Sequence, residues 1–275
     1  MRVAVLCYHS QNIQGNSYQL NDHIAFEQDL KKIIQKNIPI ISAAQLVNHL
    51  KGIHALEIPA AVVLTCDDGT TLDWFDYQHP QFGMQKSFRN ILLDQFAGSL
   101  PAEVMTSFVI ACPVARQHID QGCYAGAALS VDSWWLEAAE SGYWAIENHS
   151  WNHWHVSLPF FTLEKQPLGQ FYTVDNYLRA TKQVVHASRF INAKLAKTNK
   201  TVKYFAYPYG HAPDYLKDHY FPYYYRQHGI EAAFTTEAAF VTDTSPIFSL
   251  PRFVCGEAWT GLEQFDLILE KLVEG

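Results

Sequence analysis

The chain has 275 residues, enough to bury a sizeable core in one large domain or two small ones. Hydrophobic residues make up 48% and charged residues 17% of it, which is typical of globular proteins and excludes the disordered and fibrous classes. The formal net charge of −7, without any basic run, argues against nucleic acid as a partner.

The N-terminal sequence and the cysteines indicate the cellular location of the protein. "MRVAVLCYHS" has neither a full hydrophobic region nor a small-residue cleavage site, so it predicts a first strand and no signal peptide. No stretch approaches the roughly 20 apolar residues of a membrane span. The cysteines form no C-x-x-C pair, which fits reduced thiols. We therefore expect a cytoplasmic protein without a membrane span. The sequence does not indicate an oligomeric state.

The N-terminal half alternates strands with helices. Apolar runs predict strands at 2–9, 37–42, 60–66 and 104–111. Periodic apolar residues predict helices at 24–36, 43–52, 86–96 and 132–141. Ser42 is placed to cap the second of these helices.

The C-terminal half continues this alternation. Strands are predicted at 143–148, 202–208, 231–236 and 246–253, and helices at 173–196, 213–227 and 261–272. Without repeats or linkers, one domain over 1–275 suffices. Parallel strands need crossover connections, so the pattern predicts an α/β fold. The expected form is a closed or nearly closed, distorted seven- or eight-stranded (β/α) barrel.

Polar residues follow four of the predicted strands. In parallel barrels the chemistry gathers at the carboxyl ends of the strands, so we expect these groups to converge on one rim. They are His9, the pair Asp67 and Asp68, the pair His149 and His153, and the turn "YPYG" at 207–210.

The segment "HSWNH" places His149 and His153 four residues apart. On one helical turn their imidazoles face the same way and can hold one cation. With Asp68 they supply two nitrogens and one oxygen, a donor set that borderline metals accept. A cation on Asp68 also relieves its repulsion with Asp67, which is then free to act as a base.

Other interpretations of these motifs stay open. The "DDG" stretch alone is also typical of a solvated turn or helix cap, and the two histidines alone of a polar surface. "CDDGT" approaches the D-x-D-G-T signature of aspartyl-phosphate phosphatases. That chemistry needs a nucleophilic carboxylate where this chain has Cys66, and it leaves the paired histidines unexplained.

These motifs resemble those of a known family. "TCDDG" resembles the T-F-D-D-G motif of the polysaccharide deacetylases (NodB-homology carbohydrate esterases), "HSWNH" matches their H-[ST]-x-x-H motif, and "FAYPYG" resembles R-x-P-Y-G. Order and spacing also match, from "VLCYHS" to "LPRF". The likeness is nearest to the branch of poly-N-acetylglucosamine deacetylases, whose first strand also ends in Tyr-His.

The resemblance implies a role for each matching residue. Asp67 corresponds to the general base, and His9, in the branch named above, to the general acid. The main-chain N–H of Tyr209 corresponds to a donor that stabilises the oxyanion. The implied metal ligands are Asp68, His149 and His153. Zinc is the first choice of divalent metal, with cobalt, nickel and manganese as alternatives.

The chain departs from the family pattern at two positions. Ala206 stands where many members have an arginine that steadies the catalytic aspartate, and Arg252 in "LPRF", again at a strand end, is a candidate replacement. Cys66 replaces an aromatic residue before the aspartates, and a small buried hydrophobic residue is its expected role.

Aromatic side chains near the motifs are candidates for stacking on sugar rings. We expect substrate contacts from Trp74, Trp151, Tyr207 and Pro208. The segment 72–85 has loop composition and is expected to shape the entrance. Core packing is the alternative role for such aromatics, and it is preferred for Trp134 and Trp135.

The sequence thus predicts a metal-dependent hydrolase that removes an acetyl group from an amide nitrogen, on an N-acetylated sugar or oligosaccharide. One alternative is a deacylase of a non-sugar amide. Another is a glycan-binding barrel with weakened or lost catalysis, which Ala206 motivates. The substrate's identity and length, the choice of metal and the effect of Ala206 on activity are not determined by the sequence.

Overall fold

The fold is built around a curled parallel sheet, seen in a computed structural model that describes residues 1–159 and 168–274. The strands are β1 (Arg2–Tyr8), β2 (Ala60–Cys66), β3 (Tyr77–His79), β4 (Gly83–Gln85), β5 (Met105–Val109), β6 (Trp144–Asn148), β7 (Tyr204–Ala206), β8 (Ala232–Phe234), β9 (Val241–Thr242) and β10 (Phe253–Val254). The main sheet has the order β10-β1-β2-β5-β6-β7-β8, with β9 antiparallel to β1.

The two edges of the sheet approach each other. Leu250, three residues before β10, forms an isolated parallel bridge with Phe234 of β8, while β10 itself pairs with β1. The segment 250–254 therefore links both edges, and the predicted distorted (β/α) barrel is confirmed. The predicted strand at 246–253 is wrong in extent, because only this bridge and β10 pair.

The helices lie outside the sheet or across its end. They are α1 (Asp22–Gln35), α2 (Ala43–Leu50), α3 (Phe88–Gln95), α4 (Pro113–Cys123), α5 (Trp135–Glu140), α6 (Tyr177–Thr181), α7 (Ala187–Lys194), α8 (Phe221–Tyr223), α9 (Tyr225–His228) and α10 (Leu262–Glu274). In the described part of the chain, no helix is long and apolar enough to cross a membrane.

Most predicted helices are present, with shifted ends. Ser42 caps α2 as predicted, in a reciprocal capping box with Gln45. The predicted helix 173–196 begins only at Tyr177 and contains a π-helical turn, Lys182–His186, between α6 and α7. Helix α4 and the hairpin β3–β4 were not predicted, and the predicted strand 37–42 is reduced to one bridge between Ile40 and Val62.

The pleat of the central strands separates two apolar clusters. In β1 and β2 one cluster takes Val3, Val5, Ala61 and Val63, which line the barrel interior with Phe108 and Phe234. The alternate residues pack against the surrounding helices. Because side chains alternate along a strand, the interior face of β2 continues through Thr65 to Asp67 at the carboxyl end. The strand pattern thus aims Asp67 into the mouth of the barrel.

Candidate active site

The DDG turn directly follows β2 and has an unusual backbone. Asp68 has a φ of 70°, in the left-handed region that non-glycine residues rarely adopt, and Gly69 follows with the same φ. A Cβ on Gly69 would lie 2.4 Å from Cγ1 of Val109 at the end of β5. Glycine is therefore required here, and the turn presses closely against the neighbouring strand.

The HSWNH segment is a loop, so the prediction of a helical turn is wrong. Ser150 and His153 have φ values of 72° and 57°, and Ser150 Oγ accepts a hydrogen bond from the N–H of His153. Asn148, the last residue of β6, accepts from the N–H of Ser150 and donates to the carbonyl of Val184. The two imidazoles nevertheless meet, with ring centroids 4.8 Å apart.

Asp68, His149 and His153 form one cluster of potential metal ligands. Each imidazole Nε2 lies 3.6 Å from Oδ1 of Asp68, and the ligand atoms of all three residues lie within 4.8 Å of one another. Ligands about 2.1 Å from a tetrahedral zinc ion lie roughly 3.4 Å apart, so these atoms are spaced to hold such an ion. The N₂O donor set leaves a fourth position for water or substrate.

The protonation states around this cluster also suit a cation. His149 Nδ1 lies 3.0 Å from the carbonyl oxygen of Ala206, to which it donates, so its Nε2 faces Asp68 with a free lone pair. Burial and the neighbouring His149 lower the pKa of His153 to about 3, which keeps that ring neutral. Burial opposes ionisation of Asp68, but the two histidines nevertheless hold its pKa below the ordinary value.

Asp67 is hydrogen-bonded to Arg252. The two terminal nitrogens of Arg252 donate to the two carboxylate oxygens of Asp67, each over 2.7 Å, and Nε donates to the carbonyl of Thr235. Both side chains are buried. Burial alone would raise the pKa of Asp67, but the guanidinium overcomes it and holds the pKa well below its usual range. Asp67 is therefore a carboxylate, 3.8 Å from Nε2 of His149.

His9 also lies close to Asp67. Its main-chain N–H donates to Oδ2 of Asp22 over 2.8 Å, and its ring can share a second group of potential ligands with Cys7 and Asp67. That group is a poor metal site, because Arg252 already occupies both oxygens of Asp67. In addition, burial raises the pKa of the Cys7 thiol, which keeps it protonated. The His9 ring therefore lies within 4.8 Å of a carboxylate oxygen of Asp67.

The YPYG turn follows β7. Tyr209 has a φ of 57°, its ring contacts His153 at a centroid distance of 4.4 Å, and it is 39% exposed. A Cβ on Gly210 would lie 1.9 Å from Oγ1 of Thr236, so the turn requires glycine. Tyr207 and Pro208 are buried, and the Tyr207 hydroxyl donates to the carbonyl of Phe248. Their predicted substrate contacts are corrected, because neither side chain presents an open surface.

Two predicted aromatic contacts have different outcomes. Trp74 is 1% exposed and packs between Trp134, Trp144 and Tyr143, with Arg89 over its ring, so it belongs to the core and its predicted role is corrected. Trp151 is half-buried, and its ring contacts His186 and Phe190. Its substrate contact stays a prediction.

Two polar residues after β1, Gln11 and Ser10, were not predicted as site residues, and neither was Asp73, which accepts a hydrogen bond from Ser10. Gln11 Nε2 donates to Oδ2 of Asp68. Ser10 Oγ contacts Thr70 and donates to Asp73 over 2.5 Å, and Ser107 donates to the same carboxylate over 2.8 Å. Burial raises the pKa of Asp73 to about 7. The only sequence signal for these contacts was their position beside His9 and the DDG turn.

Part of the chain matches a family model. Residues 105–233 match the polysaccharide deacetylase model, a range that contains the HSWNH and YPYG motifs. No curated protein sequence matches the chain.

The fold is similar to that of several solved deacetylases. IcaB from Ammonifex degensii has a TM-score of 0.63 at 19% identity, with 98% of this chain and 96% of that chain covered. The deacetylase PplD from Streptococcus pyogenes, solved in complex with acetate, has a TM-score of 0.63 at 16% identity over 99% and 98%. A de-N-acetylase from Aggregatibacter actinomycetemcomitans has a TM-score of 0.63 at 17% identity over 97% and 99%.

At these identities the structural likeness establishes the fold. The family model and the motifs of this chain add the sequence evidence, and the resemblance found from the sequence is confirmed. The chain is therefore similar to the polysaccharide deacetylases in fold, in its motifs and, over residues 105–233, in its match to their family model.

Proposed function

We propose that the protein is a metal-dependent hydrolase that removes the acetyl group from the amide nitrogen of an N-acetylated sugar. The observation that carries this proposal is the arrangement of two carboxylates in adjacent positions with different partners. Asp68 faces the imidazoles of His149 and His153, whereas Asp67 is held by Arg252. The match to the polysaccharide deacetylase model supports the deacetylase class of reaction.

The pairing of Asp67 with Arg252 supports the role of general base for Asp67. A divalent cation held by Asp68, His149 and His153 would polarise the acetyl carbonyl and acidify a water molecule beside it. Asp67 accepts the proton of the attacking water. Because Arg252 keeps Asp67 ionised and fixes both of its oxygens, the base is available and oriented across the neutral pH range.

The other groups act on the oxyanion and on the leaving amine. The water oxygen bonds to the carbonyl carbon, and the main-chain N–H of Tyr209 stabilises the oxyanion that develops. His9 delivers a proton to the departing nitrogen, since imidazole titrates near neutrality. The C–N bond breaks, and acetate and a free amine are released.

The structure does not favour the alternative of a glycan-binding barrel with weakened or lost catalysis. It rested on Ala206, which replaces an arginine expected to steady the catalytic aspartate. Arg252 comes from a different strand end, yet it makes two hydrogen bonds of 2.7 Å to Asp67. Asp67 therefore has a cationic partner, Arg252, even though residue 206 is an alanine.

Acetate release from N-acetylglucosamine oligomers tests the proposal. Protein stripped with a chelator is expected to be inactive and to recover with Zn²⁺, Co²⁺, Ni²⁺ or Mn²⁺. Asp67→Asn is expected to bind metal normally and to lose most turnover, about 10²–10⁴-fold, because a general base typically contributes that much. Asp94→Asn, an exposed carboxylate, is the matched control. Full activity of the Asp67→Asn variant would refute the assigned base.

A further inference from the structure

Gln11 is a half-buried polar residue beside the candidate metal ligands, and the mechanism above does not use it. It lies three residues beyond the end of β1, in a tight turn where the N–H of Asn12 donates to His9 and that of Ile13 donates to Gln11 itself. Its side-chain Nε2 donates to Oδ2 of Asp68, across 57 positions of sequence.

This contact divides the two oxygens of Asp68 between different partners. Oδ2 accepts from Gln11, whereas Oδ1 is the oxygen that lies 3.6 Å from each histidine Nε2. Because Oδ2 of Asp68 already accepts a hydrogen bond from the Gln11 amide, a cation that bound to Oδ2 would compete with that hydrogen bond. The arrangement therefore favours Oδ1 as a single-oxygen ligand.

We propose that Gln11 is a positioning residue that holds Asp68 as a one-oxygen ligand of the catalytic cation. This inference rests on the metal site of the proposed function. Groups that orient a ligand in this way typically change metal affinity by 10–100-fold when they are removed. Gln11 acts through Asp68 and is given no direct part in the reaction.

The carbonyl end of the same side chain argues against a purely structural role. Among the described residues, Oε1 of Gln11 is buried and has no hydrogen-bond partner. An unpaired buried acceptor destabilises the folded state. If Gln11 served folding alone, an apolar residue of similar length would avoid that cost. Its amide is explained by the hydrogen bond that it gives to Asp68.

Metal titration of Gln11→Met tests this inference. Methionine keeps the length and removes the donor, so the dissociation constant for Zn²⁺, measured by competition with a chromophoric chelator, is expected to rise 10–100-fold. The thermal midpoint of the metal-free protein should not fall, because the unpaired carbonyl disappears together with the donor. Gln14→Met makes the same chemical change at an exposed position of the same loop and is expected to leave the dissociation constant unchanged.

Co²⁺ absorption provides a second measurement that does not depend on activity. Release of Oδ2 allows Asp68 to bind through both oxygens, which raises the coordination number and weakens the visible d–d bands of Co²⁺ in the Gln11→Met protein. Gln11→Ala serves as the second variant if methionine impairs folding. Zn²⁺ affinity and Co²⁺ spectra that match the unmodified protein would overturn the role of Gln11. Absence of acetate release from any substrate would instead refute the proposed function, and the metal measurements would still decide the role of Gln11.

Discussion

At the scale of single residues, Arg252 forms an ion pair with Asp67 although it lies at a different strand end from the expected arginine position. The guanidinium is fully buried, stacks over Phe108 at 5.4 Å and reaches Asp67 from the segment that closes the barrel. The sequence position of the family arginine is taken by Ala206, which is buried and accepts the hydrogen bond from His149. The chain thus supplies the same charge from another direction.

Arg252→Met is expected to change both stability and the pH dependence of the reaction. Removing one partner of a buried ion pair leaves an uncompensated charge, which costs about 3–5 kcal/mol in unfolding free energy. The guanidinium holds the pKa of Asp67 down, so its loss raises that pKa. Asp67, the proposed base, is then protonated at higher pH, and the acid limb of the pH profile of kcat/KM should move to higher pH. Urea unfolding and a pH–rate profile measure the two effects.

Arg226→Met is the matched control for this substitution, because Arg226 is exposed on α9. It should leave both the unfolding free energy and the acid limb unchanged. An acid limb at the same pH in the Arg252→Met and unmodified proteins would show that Arg252 does not tune the base.

At the scale of elements, the positions of buried strands were predictable from the sequence, whereas the residues at which their pairing begins and ends were not. β2 occupies 60–66 as predicted, because seven consecutive buried residues leave a clear apolar run. The run at 202–208 pairs only over Tyr204–Ala206, because strand ends depend on neighbours that one segment does not reveal. Helix α4 escaped prediction since few of its side chains face the core, Ala115 and Ile119 among them.

Some residues of the candidate site were likewise predictable from the sequence, and others were not. Asp68, His149 and His153 were predicted to meet because motifs at strand ends must share a rim, although the loop joining the histidines is not helical. Gln11 was missed, since its contact with Asp68 arises only from folding. Trp74 was misplaced because composition does not distinguish an aromatic core residue from an aromatic rim residue.

Gly69→Ala is expected to damage the DDG turn beyond the cost of its backbone conformation. Gly52→Ala supplies the comparison, because Gly52 has a φ of 69° and open space around its Cβ position, whereas Gly69 has a φ of 70° and Val109 at 2.4 Å. The left-handed conformation costs an alanine about 1–2 kcal/mol at either site. The Gly69→Ala variant should lose more unfolding free energy in urea and bind Zn²⁺ less tightly, because Asp68 shifts with the turn. Equal losses in both variants would contradict the close contact.

At the scale of the whole molecule, buried carboxyl groups link distant elements through hydrogen bonds. Asp29 of α1 accepts hydrogen bonds from Tyr8 of β1 over 3.0 Å, from Tyr18, and from Trp259 before α10 over 3.1 Å. Glu147 of β6 accepts from the main chain at the start of β7. Burial raises the pKa of Asp29 to about 7 and that of Glu147 to about 8. Both groups are therefore protonated in the folded protein at mildly acidic pH.

Asp29→Asn is expected to reduce the pH dependence of global stability. The pKa of Asp29 is raised from 3.8 to about 7 on folding, so the folded state binds the proton more tightly. Its contribution is complete below the unfolded pKa and is lost as pH rises through about 7, by roughly 4 kcal/mol at most. Asparagine stays neutral, so this loss should be absent. Urea unfolding at pH 5 and pH 8 measures it, with Asp94→Asn as the exposed control. If the unmodified protein and Asp29→Asn lose equal stability between these pH values, Asp29 is already ionised in the fold, and hydrogen bonds from Tyr8, Tyr18 and Trp259 must suffice to stabilise its charge.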